Sequence, residues 1–316
     1  MKFNKLTILT LAIILIALLI SCNTEDAGIF KQISLSVERD NVENINLILL
    51  KGNFIYAFAG NRGLGSYEII VDDGKTKTGN WTSIKSSKVS NYTTFNDKIF
   101  YSQEVTGNVK NKLFQYDLTT KITTPLDDAY VVDMAPQQNL VVIQKNIVDN
   151  VEDAEFSVFE FDNNGSLVAE NDKGKLGYTP ILITATNSNK YVLTDPNDED
   201  GIVAIAELGV HIVTISKKGQ IFSDGNKKDT VSLKGRNVDH LPYPTFVYGN
   251  ELYLLDSSNK FVKITDAGVV SEADQSGLKD LAKLSSVRIH SYLVDVDGDD
   301  LYVGTENSGI LIYDLN

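Results

Sequence analysis

Residues 295–316 read DVDGDDLYVGTENSGILIYDLN. Leu301 to Thr305 is a short run rich in β-branched and aromatic residues, and Ile310 to Tyr313 is a second. Asp and Gly fill the turn before the first run, and Asn-Ser-Gly fills the turn between them. Gly, Asn and Asp tolerate the backbone angles of tight hairpins, while Val, Ile and Tyr pack on a pleated surface, so the stretch reads as antiparallel strands joined by short turns.

The same order recurs upstream. The first turn and second strand appear as KGNFIYAF (51–58), FNDKIFYS (95–102), QQNLVVIQ (137–144), NSNKYVLT (187–194), YGNELYLL (248–255) and DGDDLYVG (297–304). The third strand and its turn appear as YEIIVDDG (67–74), FQYDLTTK (114–121), FEFDNNGS (159–166), VTISKKGQ (213–220), VKITDAGV (262–269) and LIYDLN (311–316). One unit averages about 47 residues, the length of a four-stranded propeller blade. The expected fold is all-β: a six-bladed β-propeller of four-stranded blades. A seventh, degenerate blade in the long gap between the fourth and fifth copies is the alternative. The last copy stops after its third strand. The alternating run Ile33-Ser34-Leu35-Ser36-Val37 precedes the first copy and is expected to supply the missing outer strand, closing the ring and removing a bare sheet edge.

The last copy resembles the repeat of two-component-regulator propellers and related bacterial propeller repeats. The matching residues are Asp295, Gly298, Tyr302, Gly304, Thr305, Gly309, Tyr313 and Asp314. The match covers about 25 residues, one blade or less, so it implies the fold. The other copies share only the coarse pattern. With no histidine kinase segment following, the signalling role of that family does not carry over.

At the other end, Lys2 and Lys5 precede an apolar run from Leu6 to Ile20 broken only by Thr7 and Thr10. It falls short of the roughly 20 residues of a spanning helix and suits the apolar region of an export signal. Leu19-Ile20-Ser21-Cys22 follows, and Cys22 is the single cysteine of the chain. This resembles the lipobox of bacterial lipoproteins. The resemblance implies cleavage before Cys22, lipidation of its thiol with acyl chains such as palmitate, and anchoring in the envelope. Two or more chains hold firmly where one does not, at about 0.8 kcal/mol per buried methylene. The expected organisation is therefore a signal peptide at 1–21, a lipidated tether at 22–30 and a propeller domain at 31–316. The localisation is the bacterial cell envelope, facing the periplasm or the surface.

Composition narrows the partners. The 316 residues carry a formal net charge of −13 with 42% hydrophobic residues. A core can form, and phosphate backbones are repelled, which excludes nucleic acid as the expected ligand. Membrane contact is expected through the lipid anchor only, and the domain is expected to be a monomer.

Turns after first and third strands are short, and both sets fall on one face of a propeller. The long connections Gln103–Lys112, Lys145–Glu155, Asp195–Gly209, Asp224–Leu241 and Asp274–Arg288 fall on the other, the last with helical character at Leu278, Leu281 and Leu284. Long loops are kept where they serve a site. Two constellations are expected there. Tyr92, Tyr130, Tyr178, Tyr243 and Tyr292, with His240, Arg288 and His290, would rim the channel mouth and offer flat apolar faces with polar tips. Asp195, Asp198, Glu199 and Asp200, and in a second loop Asp149, Glu152, Asp153 and Glu155, would supply carboxylates to calcium, which takes six to eight oxygens. Against these stand inter-blade packing for the tyrosines and plain solvation for the acids. Asp117, Asp162, Asp266 and Asp314 recur at third-strand ends, where a carboxylate caps turn amides.

No nucleophile elbow, metalloprotease helix, phosphate loop or cysteine nucleophile is present. The reading is a non-catalytic binding or scaffolding module whose partner is an envelope protein, a peptide or a glycan. The alternative is a glycan hydrolase or lyase using carboxylate and histidine chemistry at the channel mouth.

Overall fold

The computed structural model describes residues 42–315, apart from 61, 73–74, 87–88, 105–110, 130, 137, 147–154, 185–190, 236–240, 284–286 and 296–298. Cys22 and the strand expected at residues 33–37 lie outside the described residues, as do the loop acids Asp149, Glu152 and Asp153.

Blade 1 consists of β1 (Ile45–Lys51), β2 (Phe54–Ala59), β3 (Gly63–Asp72) and β4 (Lys75–Lys85), paired in that order. Blade 2 is β5 (Val89–Phe95), β6 (Lys98–Glu104), β7 (Asn111–Asp117) and β8 (Thr123–Ala129). Blade 3 is β9 (Val131–Pro136), β10 (Leu140–Asn146), β11 (Glu155–Phe161) and β12 (Leu167–Lys175). A two-stranded sheet follows, β13 (Ile181–Thr184) with β14 (Tyr191–Thr194). Blade 4 is β15 (Ile202–Leu208), β16 (His211–Ser216), β17 (Gln220–Ser223) and β18 (Asn226–Thr230). Blade 5 is β19 (Thr245–Tyr248), β20 (Glu251–Leu255), β21 (Phe261–Ile264) and β22 (Val270–Glu272). After helix α1 (Ser276–Lys283), blade 6 shows β23 (Ile289–Asp295), β24 (Asp300–Thr305) and β25 (Ile310–Asp314). All pairings are antiparallel. The chain is a β-propeller.

The six blades read from the repeats are present, and one position needs correction. The fourth copy is composite. Tyr191–Thr194 belongs to the two-stranded sheet, while Val213–Ser216 is the second strand of the next blade. The degenerate seventh unit thus exists as a hairpin, and it opens the fourth copy instead of filling the gap after it. Asp195–Gly209 is accordingly not a loop: it contains β15, whose residues alternate into the core. Asp224–Leu241 contains β18 and leads on to blade 5. The helix expected within Asp274–Arg288 is there, burying Leu278 and Leu281.

The core sits between blades. Ile45, Ile55 and Ala57 of blade 1 pack with Tyr302, Ile310 and Ile312 of blade 6. Phe100 and Leu113 of blade 2 pack with Leu140 and Val142 of blade 3. Val203 and Val213 of blade 4 pack with Leu252 and Leu254 of blade 5. Each such side chain contributes roughly 1.5–3 kcal/mol by leaving water, so every blade is stabilised by its neighbours. The first and last blades are also joined by the Asn44 amide donating to the Glu306 carbonyl at 2.7 Å and the Leu47 amide donating to Ser291 Oγ at 2.6 Å.

The short-turn face is laced from blade to blade. Lys51 pairs with Asp97 at 2.8 Å, Lys98 Nζ donates to the Asn163 carbonyl at 2.6 Å, and Tyr248 Oη donates to Asp299 at 2.8 Å. Two of the recurrent aspartates cap turns as expected: Asp117 accepts from the Thr119 and Thr120 amides, and Asp162 from those of Asn164 and Ser166.

Candidate functional site

The inner strands of all six blades, together with β13, surround a central cavity of about 920 Å³. A small-molecule site typically spans about 300–1,000 Å³. Most of the lining comes from the beginnings of inner strands and the residues just before them. Asn44, Asn46, Ser90, Asn91, Thr93, Thr184, Thr245 and Ser291 supply amides and hydroxyls, and Leu47, Met134, Leu182, Ile205 and Pro242 supply apolar surface. Asp133 is the single carboxylate of the described lining, which includes no lysine or arginine.

Asp133 stands on β9 at the seam with β13. Its Oδ1 accepts the Met134 amide and its Oδ2 accepts the Leu182 amide, both at 2.8 Å. Burial nevertheless dominates and pushes the carboxyl up to about 6, against the lowering effect of both N–H groups. The sequence reading missed this residue. The available signal was a charged side chain inside the apolar run VVDMAP, where an inner strand should be featureless.

Four of the expected rim residues line the cavity: Tyr92, Tyr243, Tyr292 and His290. Their aromatic faces are largely committed to packing. Tyr92 stacks on Phe58 with ring centroids 4.7 Å apart, and burial, then the Asp133 charge, raises its phenol. Tyr243 is buried; its hydroxyl donates to the Leu255 carbonyl at 2.6 Å and accepts the Lys234 amide at 3.0 Å. Tyr292 packs on Phe246 and Phe261, and burial raises its phenol well above the ordinary value. These three serve the sheets more than a ligand. Tyr178 lies in the β12–β13 connection, away from the cavity lining. Arg288 is held by Glu306 at 3.4 Å and also does not line it. Tyr130 and His240 lie outside the described residues.

The carboxylates expected to hold calcium, Asp195, Asp198, Glu199 and Asp200, are engaged locally. Asp195 accepts the Asn197 amide and Asp198 the Asp200 amide, both as local turn caps. Glu199 and Asp200 face Lys218 at 3.6 and 3.0 Å. The carboxylates point into their own turns and at a lysine, and among the described residues no group of three or more His, Cys, Asp or Glu is placed to hold a metal ion.

A further feature was not foreseen. Among the described residues, the exposed large apolar side chains are Phe54, Ile70, Val71, Ile122, Leu167, Val168, Val210, Val247 and Val269. All nine stand at the short-turn ends of their strands or in the short turns themselves. They are spread around the ring, from one to three in each of blades 1 to 5.

No family model and no curated protein sequence matches the chain. The chain is similar in structure to the β-propeller domain of the Trilobed protease from Pyrococcus furiosus, which has an open velcro topology. The TM-score is 0.50 at 11% identity, over 87% of this chain and 94% of that one. The computationally designed Ika8 protein aligns with a TM-score of 0.47 at 12% identity, over 89% of this chain and 99% of that one. At such identity the first likeness speaks to the fold alone.

Proposed function

We propose that the protein is a lipid-anchored module of the bacterial envelope that binds its partner or ligand in and over the central channel, without catalysis. The observation that carries the reading is the cavity of about 920 Å³, lined by every blade, to which blades 1, 2, 5 and 6 and the β13 strand contribute neutral hydrogen-bonding side chains. Such a lining can orient a ligand by hydrogen bonds from several blades at once. Glycoside hydrolysis takes a pair of carboxylates flanking the bond, and the described lining offers Asp133 alone. This favours binding over a glycan hydrolase or lyase. The anchor rests on the apolar run followed by Leu19-Ile20-Ser21-Cys22.

Two measurements test the proposal. Detergent-extracted full-length protein is screened against envelope glycans, peptides and amines by hydrogen exchange. Binding in the channel slows exchange at the beginnings of β1, β5 and β23; slowing confined to the short turns overturns it. Metabolic labelling with an alkyne palmitate analogue should mark the wild type and leave Cys22→Ala unlabelled. A labelled Cys22→Ala protein, or an unlabelled wild type, removes the anchor.

A further inference from the structure

We propose that the central cavity takes an organic cation, a guanidinium or alkylammonium group, against Asp133. The inference rests on the channel-binding reading above and names the chemistry of its ligand.

Charge comes first. Asp133 is the one carboxylate in the described lining, which holds no lysine or arginine, and among the described residues it accepts the Met134 and Leu182 amides, one to each oxygen. A carboxylate offers about four lone-pair sites, so each oxygen keeps capacity for another donor. Among the described residues no lysine or arginine pairs with it. A half-buried carboxylate without a counter-cation is costly, and an incoming guanidinium offsets that cost through charge-assisted hydrogen bonds. An anion would meet the opposite: repulsion from Asp133 and no lysine or arginine in the described lining. The aromatic stacking that strengthens sugar binding is not on offer here, since Tyr92 is stacked on Phe58 and Tyr292 is packed on Phe246 and Phe261. The neutral amides and hydroxyls around the rest of the wall suit the N–H groups and stem of the cation.

The acid's environment gives the inference a second signature. Burial holds the free carboxyl up to about 6, and a bound cation favours its ionised form. Binding therefore releases a proton, and affinity rises with pH through about 6. The titratable groups facing this space are Tyr92 on the neighbouring inner strand and His290, Tyr243 and Tyr292 elsewhere in the lining. The phenols stay neutral over this range. Because His290 also faces this space, the variant at position 133 is needed to assign the pH step to Asp133.

The probes are Nα-acetyl-arginine amide and its neutral isostere Nα-acetyl-citrulline amide, called arginine amide and citrulline amide below and acetylated because a free α-amine is itself a titrating cation; both are titrated calorimetrically into the full-length protein in detergent. Arginine amide should bind about tenfold more tightly at about pH 7.5 than at about pH 5, as the ionised fraction of Asp133 grows. Citrulline amide should bind at least about tenfold more weakly at the higher pH. Asp133→Asn should lose arginine amide binding and its pH step. Should that variant misfold, the wild type alone decides: titration near pH 6 in two buffers of different ionisation enthalpy should show about half a proton released per ligand. A pentapeptide carrying one internal arginine distinguishes the sources. Tighter binding than arginine amide assigns the cation to a partner's side chain; weaker binding assigns it to a free amine. Equal binding of citrulline amide, a flat pH profile, or no binding of arginine amide overturns the inference. If a neutral ligand still slows exchange at the inner strands, only the cation is wrong. If nothing does, the channel reading falls with it.

Discussion

Gly304 and Asp133 are opposite cases at the scale of a residue. A Cβ on Gly304 would stand 2.3 Å from the Ile45 carbonyl oxygen and 2.6 Å from Ser291 Oγ, so only glycine lets blade 6 approach blade 1 this closely. Thr305 next to it donates to the Gly309 carbonyl at 2.8 Å and accepts the Ser308 amide at 2.9 Å, closing the turn before β25. The Gly-Thr and Gly of the last repeat are thus packing and turn chemistry, legible in the sequence because local rules dictate them. Asp133 follows no local rule; its meaning depends on the β9–β13 seam and on the emptiness beside it, which no spacing announces. It also gives a stability prediction. A carboxyl raised from 3.8 to about 6 by burial holds its proton in the folded state after the unfolded chain has lost it. Its contribution is fully present below about pH 4 and is lost as pH rises through about 6. In Asp133→Asn that loss is absent, because the amide does not titrate. The variant should be less stable than wild type near pH 4.5 by at most about 1–3 kcal/mol, because its NH₂ now meets a backbone N–H. Between pH 4.5 and pH 7 the gap should shift in the variant's favour by roughly 2 kcal/mol. Urea unfolding at several pH values reads this; a gap independent of pH would mean that Asp133 is ionised throughout.

At the scale of elements, the outer strands separate the blades by exposure. β12 shows Leu167 and Val168 about half exposed, as befits a sheet edge. β25 is the last strand of blade 6 among the described residues, yet Ile310, Leu311, Ile312 and Tyr313 are all buried, so both of its faces are covered as in a third strand. Helix α1 accounts for one end of it, with a Cβ on Gly277 falling 2.1 Å from the Asp314 carbonyl oxygen. Blade 1 covers the face that carries Ile310 and Ile312, and the strand expected from residues 31–38 would cover the open edge. Deleting those residues should leave a bare edge on blade 6, and the protein should unfold at lower temperature or aggregate. A deletion that melts like the parent rules out closure by that segment. The repeats were legible at this scale because each blade restates the same hairpins. The β13–β14 hairpin was not, because a unit that keeps only its two inner strands borrows the appearance of the next blade. Ile202–Leu208 then looks like surplus chain, although Ile, Val and Leu mark it as a strand.

Across the whole molecule, the two faces divide their labour unevenly. The long-connection face carries the cavity mouth and the acidic turn 195–200, whose attraction for a basic partner weakens with salt. Lys217 and Lys218 also lie on this face, since their turn joins β16 to β17, and Lys218 meets Asp200. The short-turn face carries inter-blade bonds and the nine exposed apolar side chains. Exposed apolar surface can itself mark a docking site, so the assignment of the working face needs a comparison that keeps the fold intact. Asp195 and Asp198 are poor choices for it, because each caps a turn amide and its loss would cost about 1 kcal/mol of stability. Glu199→Gln is clean, since its carboxylate is exposed and only 3.6 Å from Lys218. On the opposite face Val71→Ser and Val210→Ser are clean, with 70% and 89% of those side chains exposed. Surface changes of this kind shift stability by about 0.5 kcal/mol or less. With any ligand found by the exchange screen, Glu199→Gln combined with Thr245→Val at the cavity wall should weaken binding several-fold. The paired valine substitutions should leave it unchanged, with all variants melting close to wild type. If the valine pair alone weakens binding, the partner docks on the apolar turns, and the channel is a by-product of closing the ring.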